Sequence, residues 1–379
     1  MTGATRQELA PAARTAPLHS RFDGAGLHLR NRIVMAPMTR AMSPGGIPGP
    51  DVAAYYARRA AGGVGLIVTE GTVVDHPTSS SRDDIPRFHG DALAGWQAVA
   101  EAVHAEGAAI IPQLWHVGWD PLHWGRDADG PPRPAPSSPS GIDPDSGNRV
   151  PPMTLADIGD VIAAFAGAAR SARRIGFDGI ELHAAHGYLI DQFLWKTTNR
   201  RTDRYGGPAI RDRARFAADV VTACREATGP DFPVVVRLSQ WKVGHYQARL
   251  ADDPAELAEL LEPLAEAGAD VFHCSQRRFW RPEFAGSRLN LAGWAKKLTG
   301  RPAITVGSVG LADSDFLGYL EGKGAATADV DEVCARLAAG EFDLVAVGRA
   351  LIADPDWPRR IRSGHPTRPF DAAMLHALH

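Results

Sequence analysis

One phrase recurs along this chain and restricts its fold more than any other feature: an alanine-rich helical stretch, a glycine, then a short unbroken apolar run. It stands at Ala61-Gly62-Gly63-Val64-Gly65-Leu66-Ile67-Val68, at Glu106-Gly107-Ala108-Ala109-Ile110-Ile111 and at Ile175-Gly176-Phe177-Asp178-Gly179-Ile180. It returns at Ala267-Gly268-Ala269-Asp270-Val271-Phe272 and at Gly340-Glu341-Phe342-Asp343-Leu344-Val345. Glycine just past a helix takes the left-handed conformation that other residues avoid. The run after it is too short for a helix and too continuous for a strand with one wet face. It reads as a strand buried on both faces, as parallel sheets require.

Such runs are Ile33–Ala36, Leu66–Thr69, Ile110–Leu114, Ile180–Leu182, Val234–Leu238, Val271–His273, Ala303–Val306 and Leu344–Val347. The clearest helix between them starts at Thr154, with Asp157 as its capping partner. It carries Ile158, Val161, Ile162, Phe165, Ala169 and Ala172 at helical spacing and ends at Gly176. Eight βα units in one chain predict an α/β fold, the closed (β/α)8 TIM barrel. A doubly wound sheet is the structural alternative, although no G-x-G-x-x-G follows the first run.

Two segments stand outside the repeat. Leu18–Leu29 reads as an N-terminal β-hairpin turning at Asp23-Gly24-Ala25-Gly26 and plugging the bottom of the barrel. Asp120–Pro152, after the third strand, is rich in Pro, Gly, Ser and Asp, and its length predicts a functional loop over the site. Residues 1–17, rich in Ala, Thr and Pro, are expected to form a flexible arm, and 18–379 a single barrel domain. That opening has no continuous apolar stretch, which argues against a secretory signal or membrane span.

At 379 residues, 44% hydrophobic and 22% charged, the composition is that of a globular protein. A net charge of −3 without long runs of one sign speaks against nucleic acid or an anionic membrane as partner. Cys224, Cys274 and Cys334 are too scattered for a disulfide framework, so a cytoplasmic location is expected.

In a barrel of this kind the reacting groups stand at the C-terminal ends of the strands. Read in order, those ends are Pro37-Met38-Thr39, Glu70-Gly71, Gln113-Leu114-Trp115, His183-Ala184-Ala185-His186-Gly187-Tyr188, Arg237, Gly307-Ser308 and Gly348-Arg349. The glycine-rich ends of the last two strands, with Arg349, suit a phosphate. Gln113 offers a donor and an acceptor to the edge of a flavin pyrimidine ring. Arg237 would place a fixed positive charge beside the N1–O2 side of that ring. His183 and His186 can donate N–H groups to a carbonyl oxygen while Tyr188, a phenol of ordinary pKa ~10, offers a proton beside it. Taken singly, each residue has an ordinary structural explanation: core histidines, a packing tyrosine, loop caps. Their joint occurrence at strand ends carries the argument.

The ordered series Asn31-Arg32-Ile33-Val34-Met35-Ala36-Pro37-Met38-Thr39-Arg40, Thr69-Glu70-Gly71, Gln113-Leu114-Trp115, His183–Tyr188, Asp191-Gln192-Phe193-Leu194, Asn199–Gly207 and Val347-Gly348-Arg349 resembles the old yellow enzyme family of FMN-dependent ene-reductases. The likeness runs from Leu18 to Arg362. It implies that Pro37, Met38 and Thr39 line a tightly but non-covalently bound FMN, Thr39 bonding its O4, and that Gly71 gives the flavin edge room. It further implies that His183 and His186 clamp the substrate carbonyl, that Tyr188 donates the proton, and that Trp115 shapes the substrate pocket. Many relatives carry asparagine where this chain has His186. The segment Ser275–Pro282 has no familiar counterpart and is expected to wall the pocket. The implied activity is NAD(P)H-dependent reduction of the C=C bond of an α,β-unsaturated carbonyl compound, with no metal. Alternatives left open by the sequence are a dienoyl-type reductase of the same family, a metal-dependent barrel hydrolase and a flavin-binding protein without turnover.

Overall fold

A strand apolar on both faces needs pairing on both edges and cover on both sides, and each of the eight runs obtains these. The computed structural model describes residues 10–80, 82–120, 135–144, 147, 149–312 and 322–379. A hairpin, β1 (Phe22–Gly24) and β2 (Leu27–Leu29), precedes eight parallel strands. These are β3 (Ile33–Met35), β4 (Leu66–Val73), β5 (Ala109–Trp115), β6 (Ile180–His186), β7 (Val234–Lys242), β8 (Val271–Ser275), β9 (Ala303–Val306) and β10 (Leu344–Val347). Pairing runs in chain order, and β10 bonds both β9 and β3, which closes the barrel.

Alternation along the strands divides the core. In β10, Leu344 and Ala346 point inward to a cluster with Val34, Leu66, Val68, Ile111, Val235, Val271 and Ile304. Val345 and Val347 point outward to the helices and join the larger shell core. The predicted plug is present: β1 and β2 pair antiparallel, and Phe22, Leu27 and Leu29 pack on the interior cluster. Among the surrounding helices, Leu155–Arg174 has the expected capping box, with Asp157 N donating to Thr154 Oγ1 and Thr154 N donating to Asp157 Oδ2. The burial of Ile158, Val161, Phe165, Ala169 and Ala172 fixes that helix against the barrel.

The arm expected at 1–17 is corrected by the structure. Residues 1–9 lie outside the described residues, but Pro11–His19 is a helix. Proline at its first turn is compatible with helix, and Leu18 and Thr15 are buried, so packing overrides the weak propensity of a Thr- and Pro-containing segment. Arg14 pairs with Asp331 at 3.2 Å. Most of the tip of the Asp120–Pro152 loop (121–134, 145, 146 and 148) also lies outside the described residues.

Several strands run further than their apolar cores. β4, β6 and β7 continue through Thr72, His183–His186 and Ser239–Lys242, residues too polar to announce a strand. Register slips between Val68 and Gly71 and between Ala184 and His186 mark bulges at these extensions. Bulges re-aim side chains at a barrel rim, which is where these stand.

Candidate active site

The extended strand ends enclose a cavity of about 390 Å3, within the range of small-molecule sites. Its walls contain all of the predicted site residues but one. Pro37, Met38 and Thr39 follow β3; Gln113 and Trp115 end β5; His183, His186 and Tyr188 come from the end of β6; and Arg237 comes from β7. Gly307 and Ser308 follow β9, and Gly348 and Arg349 follow β10. Gly71 is the exception. A Cβ there would stand 2.5 Å from Trp115 Cε3, so this glycine makes room for the indole and only through it for anything in the cavity.

His183 and His186 lie beyond the apolar run Ile180–Leu182 but still on β6 itself. His186 takes a φ of 66°, and Tyr188 caps the helix Leu189–Leu194. Gly187 N donates to Asp191 Oδ2 at 2.6 Å, and Asp191 Oδ1 lies 2.9 Å from Lys242 Nζ, both side chains fully buried. That ion pair braces the turn carrying the three groups. The His183 ring centroid lies 5.2 Å from that of His186 and 5.1 Å from that of Tyr188, and Trp115 packs edge-on to Tyr188 at 4.7 Å. His186 is also stacked on Trp241 at 4.4 Å, with its Nε2 2.8 Å from Ser275 Oγ.

Electrostatics sort these groups. Burial, then the positive charge of Arg237, hold both imidazoles well below the usual histidine pKa, so each is neutral and carries one N–H. Burial, with the Asp120 carboxylate adding to it, pushes the Tyr188 phenol above its ordinary range. Arg237 is 7% exposed, and its Nε is buried without a hydrogen-bond partner in the protein, as is His183 Nδ1. Buried polar atoms are nearly always satisfied, so these point to a polar ligand.

The ends of β9 and β10 form another part of the cavity wall. A Cβ on Gly307 would meet Gln276 O at 2.5 Å, so this glycine admits the backbone that follows β8, and Ser308 holds φ at 56° with its hydroxyl donating to Arg277 O at 3.0 Å. Arg349 stands on the same wall. The backbone N–H groups at the ends of β9 and β10 beside Arg349 can receive an anion, and with the buried Arg237 Nε lacking a protein partner the residues fit FMN.

Sequence reasoning missed several groups. Trp241 lines the cavity because β7 runs past its apolar core, and applying the strand-end rule three residues further would have found it, whereas Ser275, Gln276 and Arg277 line it from the segment expected to wall the pocket. Glu181 and His273, fully buried beneath Gln113, gave no signal, being single polar residues within apolar runs. Among the described residues, no three His, Cys, Asp or Glu side chains converge to hold a metal ion, and no helix is long and apolar enough to cross a membrane.

Residues 23–368 match the model of the NADH:flavin oxidoreductase / NADH oxidase family. The chain belongs to that family. In the terms of the sequence reading this is the old yellow enzyme family, and the protein is an FMN-dependent oxidoreductase that draws its electrons from NAD(P)H. An NADH oxidase from Thermoanaerobacter brockii is 36% identical over 354 residues, 89% of this chain and 49% of that protein, so this chain spans about half the length of that relative. A putative 12-oxophytodienoate reductase 2 from Oryza sativa subsp. japonica is 33% identical over 97% of this chain and 92% of its own length. Morphinone reductase in complex with tetrahydroNAD has the same fold, with a TM-score of 0.77 at 30% identity over 94% of this chain and 93% of that one. The family resemblance and the barrel expected from the sequence are thereby established, and the doubly wound and metal-hydrolase alternatives fall away.

Proposed function

We propose that this chain reduces the C=C bond of small α,β-unsaturated carbonyl compounds, with His183 and His186 as the carbonyl clamp and Tyr188 as the proton donor. One observation carries the reading: two imidazoles held neutral and a phenol held protonated on one cavity wall, with the His183 ring 5.2 Å from His186 and 5.1 Å from Tyr188. Relatives named as 12-oxophytodienoate and morphinone reductases support it.

FMN, when bound, supplies the hydride and is recharged by NAD(P)H. The protein's part is orientation and charge. Pro37–Thr39, Gln113 and Arg237 would hold the ring system, and Gly307, Ser308, Gly348 and Arg349 its phosphate. As hydride reaches the β-carbon, negative charge gathers on the carbonyl oxygen, where the two imidazole N–H groups await it. One such pre-placed donor is worth roughly 3 kcal/mol of barrier in an oxyanion-type site. The Tyr188 hydroxyl then delivers its proton to the α-carbon. Its raised pKa keeps that proton in place at neutral pH. Trp115 walls the substrate side, edge-on to Tyr188. A cytoplasmic setting suits this chemistry and three buried free thiols.

Stopped-flow kinetics of Tyr188→Phe test the assignment. Reduction of the bound flavin by NAD(P)H should change by about twofold or less, while reoxidation by 2-cyclohexenone slows ~10²–10⁴-fold, the range of a lost general acid. Equal rates with the enone in variant and wild type would leave flavin binding without this mechanism.

A further inference from the structure

Glu181, at the start of β6, is a buried polar group that the reaction does not use. It is 0% exposed and does not line the cavity. Gln113 Nε2 donates to its Oε1 at 2.8 Å, and His273 Nδ1 stands 2.6 Å from its Oε2. His273 is also 0% exposed, and its Nε2 has no hydrogen-bond partner. A carboxylate only accepts, so the Gln113 atom facing Glu181 must be the NH2, which fixes the amide orientation. Gln113 therefore turns its oxygen toward the cavity as an acceptor, with at most one N–H left over. The sequence alone allowed either face.

Charge points the same way. Burial by itself would raise the Glu181 pKa, but His273, Arg237 and Gln113 outweigh it and hold the carboxyl below its usual range. Burial holds His273 below the usual imidazole range. The pair is then a carboxylate receiving an N–H from neutral imidazole, and the His273 Nε2 left unpartnered is a lone pair. Arg237, on the cavity wall, is the nearby cation that interacts with this carboxylate.

We propose that Glu181, braced by His273, is a positioning residue for the flavin's pyrimidine edge: it presents the Gln113 oxygen to the ring N–H, tempers the positive charge of Arg237, and so sets the potential of the bound cofactor. A stronger bare cation beside the ring would stabilise the reduced, anionic cofactor and weaken it as a hydride donor. The inference rests on the FMN reading. Failure of wild-type apoprotein to take up FMN would sink that reading, and the results below speak only to Glu181 in a loaded protein.

The experiment compares wild-type holoenzyme with Glu181→Gln and Glu181→Asp by two measurements, the midpoint potential against a reference dye and a visible titration of the flavin N3–H. In wild type the N3 proton should persist about one pH unit above its loss in free FMN, a tenfold change in ionisation. This result needs no variant, and loss at or below the pH of free FMN overturns the proposal. Glu181→Gln should move the potential positive and the N3–H titration down by about one pH unit, and unchanged values in a folded, yellow variant overturn it. Glu181→Asp, which keeps the charge, should lie nearer wild type than Glu181→Gln. If the two variants behave alike, packing rather than charge is responsible and the proposal falls.

Discussion

At the N-terminal end of the barrel strands the interior is stopped by Phe22, Leu27 and Leu29, seated on Val34, Leu66, Ile111 and their neighbours. From Glu181 and His273 up to its C-terminal end the same sheet buries polar groups, Gln113, His183 and Arg237 among them. Each apolar side chain at the lower end contributes stability, on the order of 25 cal/mol per Å2 removed from water. Each polar group at the upper end costs desolvation, and His183 Nδ1, Arg237 Nε and His273 Nε2 have no hydrogen bond in return. The lower end therefore holds the fold together, while the upper end is tolerated because a ligand completes it.

The largest test of that division is Phe22→Ala. Emptying a buried aromatic position should lower the unfolding free energy by ~3–5 kcal/mol in denaturant titrations. The turnover of the molecules still folded should stay within about twofold of wild type, since the plug lies at the opposite mouth from the cavity. The inverse variant, His183→Ala, should lower kcat/KM for an enone ~10²–10³-fold, as loss of one oxyanion donor does. Its unfolding free energy should hold or rise, because a buried nitrogen without a partner is removed. If Phe22→Ala damages turnover of folded enzyme as much as His183→Ala does, the ends are not separate.

The same division explains what could be read in the residues. Runs such as Val234–Leu238 announce strands because both faces are buried in apolar surroundings, and all eight were legible for that reason. Their continuations, His183–His186 in β6 and Ser239–Lys242 in β7, were not, because there side-chain identity answers to the cavity rather than to the sheet. Single site residues could be read from position at a strand end, as Arg237 and Gly307 were. Partnerships could not: Glu181 meets His273 across 92 positions of sequence, and only closure of the barrel brings them to 2.6 Å. Gly71 shows the same limit. A glycine signals close approach, but the approaching group, Trp115, belongs to the neighbouring strand.

A further contrast concerns pH. Glu70, at the upper end of β4, accepts from Arg40 N and Ala41 N and so holds the segment that carries Thr39. Burial pushes its pKa up to about 7 from 4.5, although those two N–H groups oppose the shift. Between these values the folded protein keeps a proton that the unfolded chain has released. Stability from this group is therefore full below pH 4.5, declines as pH rises toward 7, and is lost above, a difference of about 3 kcal/mol. Glu70→Gln keeps an acceptor oxygen and removes the titration. Its unfolding free energy, relative to wild type, should climb across that window, and a gap independent of pH would show that the carboxyl is not the source.

The smallest expected effect concerns strain, which occurs at both ends. Ala25 in the hairpin turn has φ 52°, and His186 and Ser308 at the cavity have 66° and 56°. A left-handed non-glycine residue costs about 1–2 kcal/mol. Ala25→Gly relieves that cost but adds roughly 0.5–1 kcal/mol of chain entropy and gives up part of a methyl's burial, at most ~0.8 kcal/mol. The three contributions nearly cancel, so the melting temperature should move by about 2 °C or less, and FMN affinity not at all. Ser308→Gly faces the same backbone arithmetic but also deletes the hydroxyl bonded to Arg277 O, on the wall where the cofactor's phosphate would sit. There FMN affinity should fall severalfold by fluorescence titration, and equal responses at the two positions would show that strain is distributed without regard to the ligand.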